Sequence, residues 1–157
     1  MNLDPLPITC QATIPESYLD SMGHMNVMWY THLFGQATCG LFLLAGMDLR
    51  YFQDHHAGSF ALAQFFRYRK EVRAGEHVTL RSRLLGRSDQ QFHVISFMTK
   101  GDGQLAATCE FLAAHIDMQA RRTAPFAAHI AQNLDRIIAE HAALDWDAPV
   151  SGAIQLR

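Results

Sequence analysis

Apolar residues recur at helical spacing between Asn26 and Gly46. Val27, Tyr30, Phe34, Ala37 or Thr38, Leu41 and Leu44 follow one stripe, and Met28, His32, Gly35, Cys39 and Phe42 follow another. The pattern predicts one long helix. Asn26 suits its N-cap, because its side chain can take a free N–H of the first turn. Gly46 suits its end. Beyond residue 58 the period changes to two. Phe60 to Lys70 is rich in aromatic and aliphatic residues, and Arg73-Ala74-Gly75-Glu76 reads as a turn. In His77 to Arg87, Val78, Leu80 and Leu84 point one way, and Thr79, Arg81, Arg83 and Arg87 the other. Ser88-Asp89 turns the chain, Phe92 to Thr99 is the next strand, and Lys100-Gly101-Asp102-Gly103 is a hairpin turn. Leu105 to Met118 reads as a long last strand with a bulge. Short turns make these strands antiparallel neighbours. Ile8 to Pro15 reads as a short first strand and Asp20 to Gly23 as a loop. Phe126, Ile130, Leu134 and Ile138 predict an amphipathic closing helix after Pro125. Asp145 to Arg157 reads as loosely structured, with Trp146 as an anchor.

Charge sharpens this picture. Ser21 to Met47 contains no Asp, Glu, Lys or Arg. A membrane span needs ~20 mostly apolar residues, and here His24, Asn26, His32 and Gln36 interrupt the run, so insertion is not expected. A soluble helix without a charged face should be buried nearly all round. Wrapping by a curved antiparallel sheet achieves that, which makes the expected class α+β. The chain reads as one domain over residues 1–157, with a core from about 8 to 126 and a helix and tail from about 125 to 157.

Composition narrows the function. The 157 residues are 49% hydrophobic and 18% charged, enough to bury a core. Lys plus Arg is 13 against 15 for Asp plus Glu, a net charge of -2, which gives no basic footprint for nucleic acid. Three cysteines, Cys10, Cys39 and Cys109, fit neither a disulfide framework nor a zinc site, and a reducing, cytoplasmic compartment is the simplest reading. The Met-Asn-Leu-Asp-Pro-Leu-Pro start resembles no signal peptide. Nine histidines invite a metal reading, but adjacent His55-His56 cannot easily chelate with both side chains, and His24 and His32 have no carboxylate or Cys at ligand spacing beside them, so no metal is expected.

Asp20-Ser21-Met22-Gly23-His24-Met25-Asn26-Val27-Met28-Trp29-Tyr30 carries the most chemistry. An acidic residue precedes a helix start, where free N–H groups and the helix dipole can hold a developing oxyanion. A carboxylate there can attack an acyl carbon or activate water. Read alone, Asp20 fits the commoner role of a loop or helix-entry charge. His24 fits a proton shuttle or a ring that orients the loop. Asn26 fits capping more readily than substrate contact.

Asp-x-x-Gly-His-x-Asn-x-x-x-Tyr, followed by Phe34 and Ala37, resembles the signature of hot-dog-fold thioesterases of the 4-hydroxybenzoyl-CoA thioesterase type. Pro15-Glu16 before it and Phe66-Arg67-Tyr68, Glu71-Val72 and Gly75-Glu76 after it extend the likeness. Leu105 to Glu110 resembles the group that includes betainyl-CoA thioesterases. The resemblance implies a hot-dog fold and hydrolysis of an acyl-CoA thioester. It implies Asp20 as nucleophile or general base, the Val27 N–H as oxyanion donor and His24 as a further catalytic candidate. Asn26, Tyr30, Phe34 and Glu71 become candidate substrate contacts. Coenzyme A would be part of the substrate and no other cofactor is expected. The family implies a homodimer or homotetramer. The sequence departs from relatives at Tyr18, where many carry a second Asp, at Val27, where a second Asn is common, and at Met22, where the related plant enzymes have Asn. Arg67, Arg69, Lys70 and Arg73 fit a solvated sheet face or contacts to coenzyme A phosphates. The rival reading is a non-catalytic acyl-CoA or lipid-binding module on the same fold.

Overall fold

In the computed structural model of the chain, residues 1–156 are described; Arg157, the last residue of the tail read above, lies outside them. Strand β1 (Ile8–Thr13) leads through a 3-10 turn (Glu16–Tyr18) to helix α1 (Val27–Ala45). A short helix α2 (Leu49–Asp54) follows, then the long strands β2 (Ala57–Tyr68), β3 (His77–Arg87), β4 (Gln91–Lys100) and β5 (Leu105–Asp117). A two-residue strand β6 (Arg122–Thr123) and helix α3 (Ala128–Ala142) close the fold. The sheet is antiparallel with order β1-β3-β4-β5-β2, and β6 pairs with β5. This is the α+β, hot-dog arrangement.

The sheet curls because several strands carry an extra residue. Register shifts fall at Thr9 in β1, Leu62 in β2, Leu85 in β3 and Ala106 in β5. Each such bulge bends its strand and adds twist. The concave face holds α1 through Tyr30, Leu33, Phe34, Ala37, Leu41 and Ala45, all buried. Each such large side chain contributes ~1.5–3 kcal/mol by leaving water. Gly40 lets the helix lie directly on the β1 backbone, since a Cβ there would overlap the Thr9 carbonyl oxygen.

The helix is not enclosed on all sides. Met28, Thr31, His32, Gln36, Cys39 and Leu43 are exposed along one side, and Val27 and Leu44 at its two ends. The missing charges therefore mark an uncharged side that is open and of mixed polarity, and not a fully wrapped helix. The convex face of the sheet, in contrast, is covered. Leu6, Ile95 and Phe97 form a second small core there, with Leu144, Trp146 and Ala148 of the C-terminal tail against it. Trp146 does anchor the tail: the Arg83 guanidinium lies 4.3 Å over its ring, and its indole N–H donates to the Asn2 carbonyl at 3.0 Å. Further on, Arg67 donates to the Pro149 carbonyl, and the Ser151 N–H donates to Glu110 Oε2 at 2.6 Å. Among the described residues, no helix is long and apolar enough to cross a membrane.

Candidate active site

Residues 18–26 form a miniature hairpin at the N-terminus of α1. The Asn26 N–H donates to the Tyr18 carbonyl at 3.0 Å, and Leu19 pairs with Met25. The Asp20 N–H donates to the His24 carbonyl, and the Gly23 N–H returns to the Asp20 carbonyl, each at 3.0 Å. Gly23 sits at φ 81°, a conformation that glycine adopts at little cost. The Met25 N–H then ties the hairpin to the Val72 carbonyl at 2.7 Å.

This hairpin places Asp20 and His24 side by side. Asp20 Oδ1 accepts the Met22 N–H at 2.9 Å, and Oδ2 lies 3.4 Å from His24 Nδ1. Their side chains are 25% and 36% exposed, so both remain open to solvent and substrate. Asn26 caps the helix, its Oδ1 accepting the Met28 N–H at 3.0 Å. Among the described residues, the Val27 N–H has no hydrogen-bond acceptor. It is one of the free donors that a helix start leaves behind.

A cleft of about 320 Å³ opens at this point, lined by His24, Met25, Val27, Tyr30, Tyr68, Arg69, Lys70 and Glu71. Four of the predicted residues, His24, Val27, Tyr30 and Glu71, thus meet in one cavity, with Asp20 beside it through His24. Asn26 serves the helix cap. Phe34 is 2% exposed and packs edge-on against Phe66, away from the cleft lining. Glu71 Oε1 takes two hydrogen bonds from Arg73, at 3.1 and 2.6 Å, so its charge is already paired.

Tyr30 is nearly buried. Burial, with Tyr68 and two nearby glutamates adding to it, pushes its hydroxyl up to about 12 against a backbone hydrogen bond with Val72. It therefore stays a neutral phenol that can donate a hydrogen bond. Its ring meets Tyr68 edge-on at 5.0 Å, and Tyr68 stacks on Phe66 at 6.0 Å. Arg69 and Lys70 belong to the cation group that fits either a solvated sheet face or coenzyme A phosphates, while Tyr68 is not singled out as a site residue by the sequence. They reach the cleft because the Arg69 and Lys70 N–H groups both donate to the Ala106 carbonyl, which turns the end of β2 toward α1. A long-range contact of this kind leaves no local signature.

The curled antiparallel sheet thus carries an uncharged helix start with a free N–H above a cleft and an acid–imidazole pair beside it. The chain belongs to the Thioesterase-like superfamily, whose family model matches residues 15–134. A betainyl-CoA thioesterase from Pseudomonas aeruginosa is 26% identical, with 94% of each chain covered. An L-carnitine dehydrogenase/betainyl-CoA thioesterase from Agrobacterium fabrum is 29% identical over 83% of this chain, but the chain spans only 27% of that longer protein. Among solved structures, a Staphylococcus aureus protein in complex with CoA superposes with TM-score 0.85 at 19% identity, covering 97% of both chains. A DHNA-CoA thioesterase from the same organism gives TM-score 0.78 at 14% identity, over 94% of this chain and 95% of the other. These structural likenesses carry the fold.

Proposed function

We propose that the chain hydrolyses a small acyl-CoA thioester, with Asp20 and His24 activating water and the Val27 N–H holding the oxyanion. The observation that carries this reading is the unpaired Val27 N–H on the same cleft as His24, with Asp20 Oδ2 3.4 Å behind the ring. The thioester carbonyl oxygen lies toward Val27, where a fixed donor is worth most as negative charge develops. Water adds to the carbonyl carbon while its proton passes to the Asp20–His24 pair. The tetrahedral intermediate collapses, the carbon–sulfur bond breaks, and the thiolate of coenzyme A leaves and takes up that proton. One Asp20 oxygen is held by the Met22 N–H and the other faces His24, an arrangement that supports the general-base role over direct attack. No cofactor beyond the substrate's own coenzyme A enters these steps.

Arg69 and Lys70 on the cleft suit the coenzyme A phosphates. The acyl group lies against Tyr30 and Tyr68. Aromatic faces of this kind hold quaternary ammonium groups by ~0.5–2 kcal/mol. That chemistry, with the names of the relatives, makes betainyl-CoA the first substrate to test. A homodimer is part of the proposal. Among the described residues, the outer edge of β2 has no strand partner, and Phe60, Leu62, Phe65 and Tyr68 are exposed along it. Such a long apolar edge invites a second copy. Three free cysteines fit a reducing, cytoplasmic setting.

The test is thiol release from a panel of acyl-CoAs, betainyl-CoA included, by the wild type and by Asp20→Asn. The expected result is turnover that falls ~100-fold or more in the variant. Turnover that survives in Asp20→Asn overturns the assignment of Asp20. Binding of acyl-CoA without any turnover favours the non-catalytic module.

A further inference from the structure

Tyr18 and Trp29 form the tightest ring pair in the molecule. Their centroids are 3.6 Å apart and their planes are 6° from parallel. His32 meets both rings edge-on, at 6.5 Å from Tyr18 and 5.5 Å from Trp29. Neither aromatic lines the cleft. Each nevertheless sits at one side of the joint between the Asp20 hairpin and the helix that supplies Val27. Tyr18 ends the 3-10 turn and opens the hairpin, and its carbonyl accepts the Asn26 N–H. Trp29 lies in the first turn of α1, and its N–H donates to the Asn26 carbonyl at 2.9 Å.

The backbone bonds at this joint are the Asn26 N–H to the Tyr18 carbonyl, the Trp29 N–H to the Asn26 carbonyl, the Leu19–Met25 bridge and the Met25 N–H to the Val72 carbonyl. All of them lie at the base of the hairpin, which leaves its tip as a lever. They fix where the hairpin is attached but resist its tilt only weakly. A flat ring stack placed off that attachment point resists tilt, because sliding or opening the rings sacrifices their contact. A change in tilt would carry the Asp20 carboxylate and the His24 ring away from the Val27 N–H. Displacements of about 1 Å in such a pair can cost ~100-fold in rate.

We infer that Tyr18 and Trp29 are positioning residues, whose stack sets the angle of the Asp20–His24 hairpin on helix α1. The inference rests on the proposed roles of Asp20 and Val27. The site's own partner for Tyr18 is a ring and not a charge, so this chain aims its carboxylate by packing.

The experiment compares Tyr18→Ala, Trp29→Ala, the double variant, Tyr18→Phe and Trp29→Phe. Acyl-CoA hydrolysis is measured beside thermal midpoints and amide exchange at Asp20, Gly23 and Met25. Each alanine variant is expected to lower kcat ~10-fold or more with KM changed less than ~2-fold, because the loss is one of alignment. The double variant should be no slower than the slower single one, since the stack acts as one unit. Tyr18→Phe should restore the wild-type rate. Exchange at the three amides should rise ~10-fold in the alanine variants and not in Tyr18→Phe, a readout that needs no substrate. Unchanged kcat and unchanged exchange in the alanine variants, or a lower midpoint alone, overturns the inference. Asp20→Asn separates the two failures. If that variant keeps full activity while Tyr18→Ala loses it, the roles given to Asp20 fail and the clamp survives as support for other groups.

Discussion

Gly40→Ala offers the sharpest test of how α1 is seated, because two effects of known size oppose each other there. Replacing glycine by alanine inside a helix usually gains ~1 kcal/mol from propensity. At Gly40, however, the added Cβ would overlap the Thr9 carbonyl oxygen and stand 2.9 Å from the carbonyl carbon and 3.0 Å from Cα. Comfortable carbon contacts begin at ~3.5 Å. The obstacle is backbone, so no rotamer change relieves it. Nor is Thr9 free to retreat, since it lies at the bulge of β1 and its hydroxyl bonds Ser82 Oγ at 2.8 Å. Helix and strand must therefore separate over a packed core. Overpacking of this kind costs ~1–3 kcal/mol and occasionally more. With the obstacle on both sides rigid, the upper end applies, and the net loss is ~2 kcal/mol. In a chain of this length that lowers the thermal midpoint by ~4–8 °C.

Gly35→Ala is the matched control on the same helix. A Cβ there meets nothing within 4 Å. Only the propensity effect remains, so the midpoint should rise by ~2–4 °C. Thermal or urea unfolding of both variants at one protein concentration measures the difference, which removes any contribution from association. A Gly40→Ala protein as stable as the wild type would refute the close seating of α1 on β1. Equal falls in both variants would show that the helix register is wrong.

Four further outcomes follow from the site and its supports. Single-turnover hydrolysis in ¹⁸O-water should leave Asp20 unlabelled, because a general base never bonds the acyl carbon; label in Asp20 would establish it as the nucleophile. Asn26→Ala removes the cap on Met28 and should cost ~1 kcal/mol by urea unfolding. Glu110 is 2% exposed, and burial raises its carboxyl, but hydrogen bonds from Ser151 and His93 outweigh that and hold it below its ordinary value. Glu110→Ala should therefore cost ~2–3 kcal/mol by leaving those donors unpaired, and should speed proteolysis of the C-terminal tail. His115 and His141 are both pushed by burial below their ordinary value of 6.5. A group depressed in the folded state contributes stability above its unfolded value and loses it as pH falls. The urea midpoint should therefore drop between pH 6.5 and 5.5. His141→Asn, whose amide oxygen can take the Leu84 N–H now held by Nδ1, should flatten part of that slope.

What the sequence reveals and what it hides divide along contact range. Helix α1 from Asn26 to Gly46 and the hairpin at Lys100–Gly103 were legible because cap, period and turn chemistry lie within a few residues of one another. Asp20 and His24 were each singled out, but their pairing across a tight hairpin is a finding of the structure. Helix α2 escaped because six residues are too few to show a period, although Asp48 caps it through the Tyr51 N–H. Tyr68 escaped, and Arg69 and Lys70 stayed undecided between a solvated face and phosphate contacts, for a different reason. Their place in the cleft depends on β5 turning the end of β2 toward α1 at Ala106, a bulged position that alternation alone cannot locate. The covered convex face escaped too, since Arg83 and Trp146 are 63 residues apart where the guanidinium meets the carbonyl. The exposed side of α1 is the most instructive case. A charge-free helix can be enclosed by its own sheet or left open for another surface, and both choices produce the same residues. Only the structure separates them: it leaves Met28, Thr31, His32, Gln36, Cys39 and Leu43 exposed along one side, uncharged but mixed in polarity.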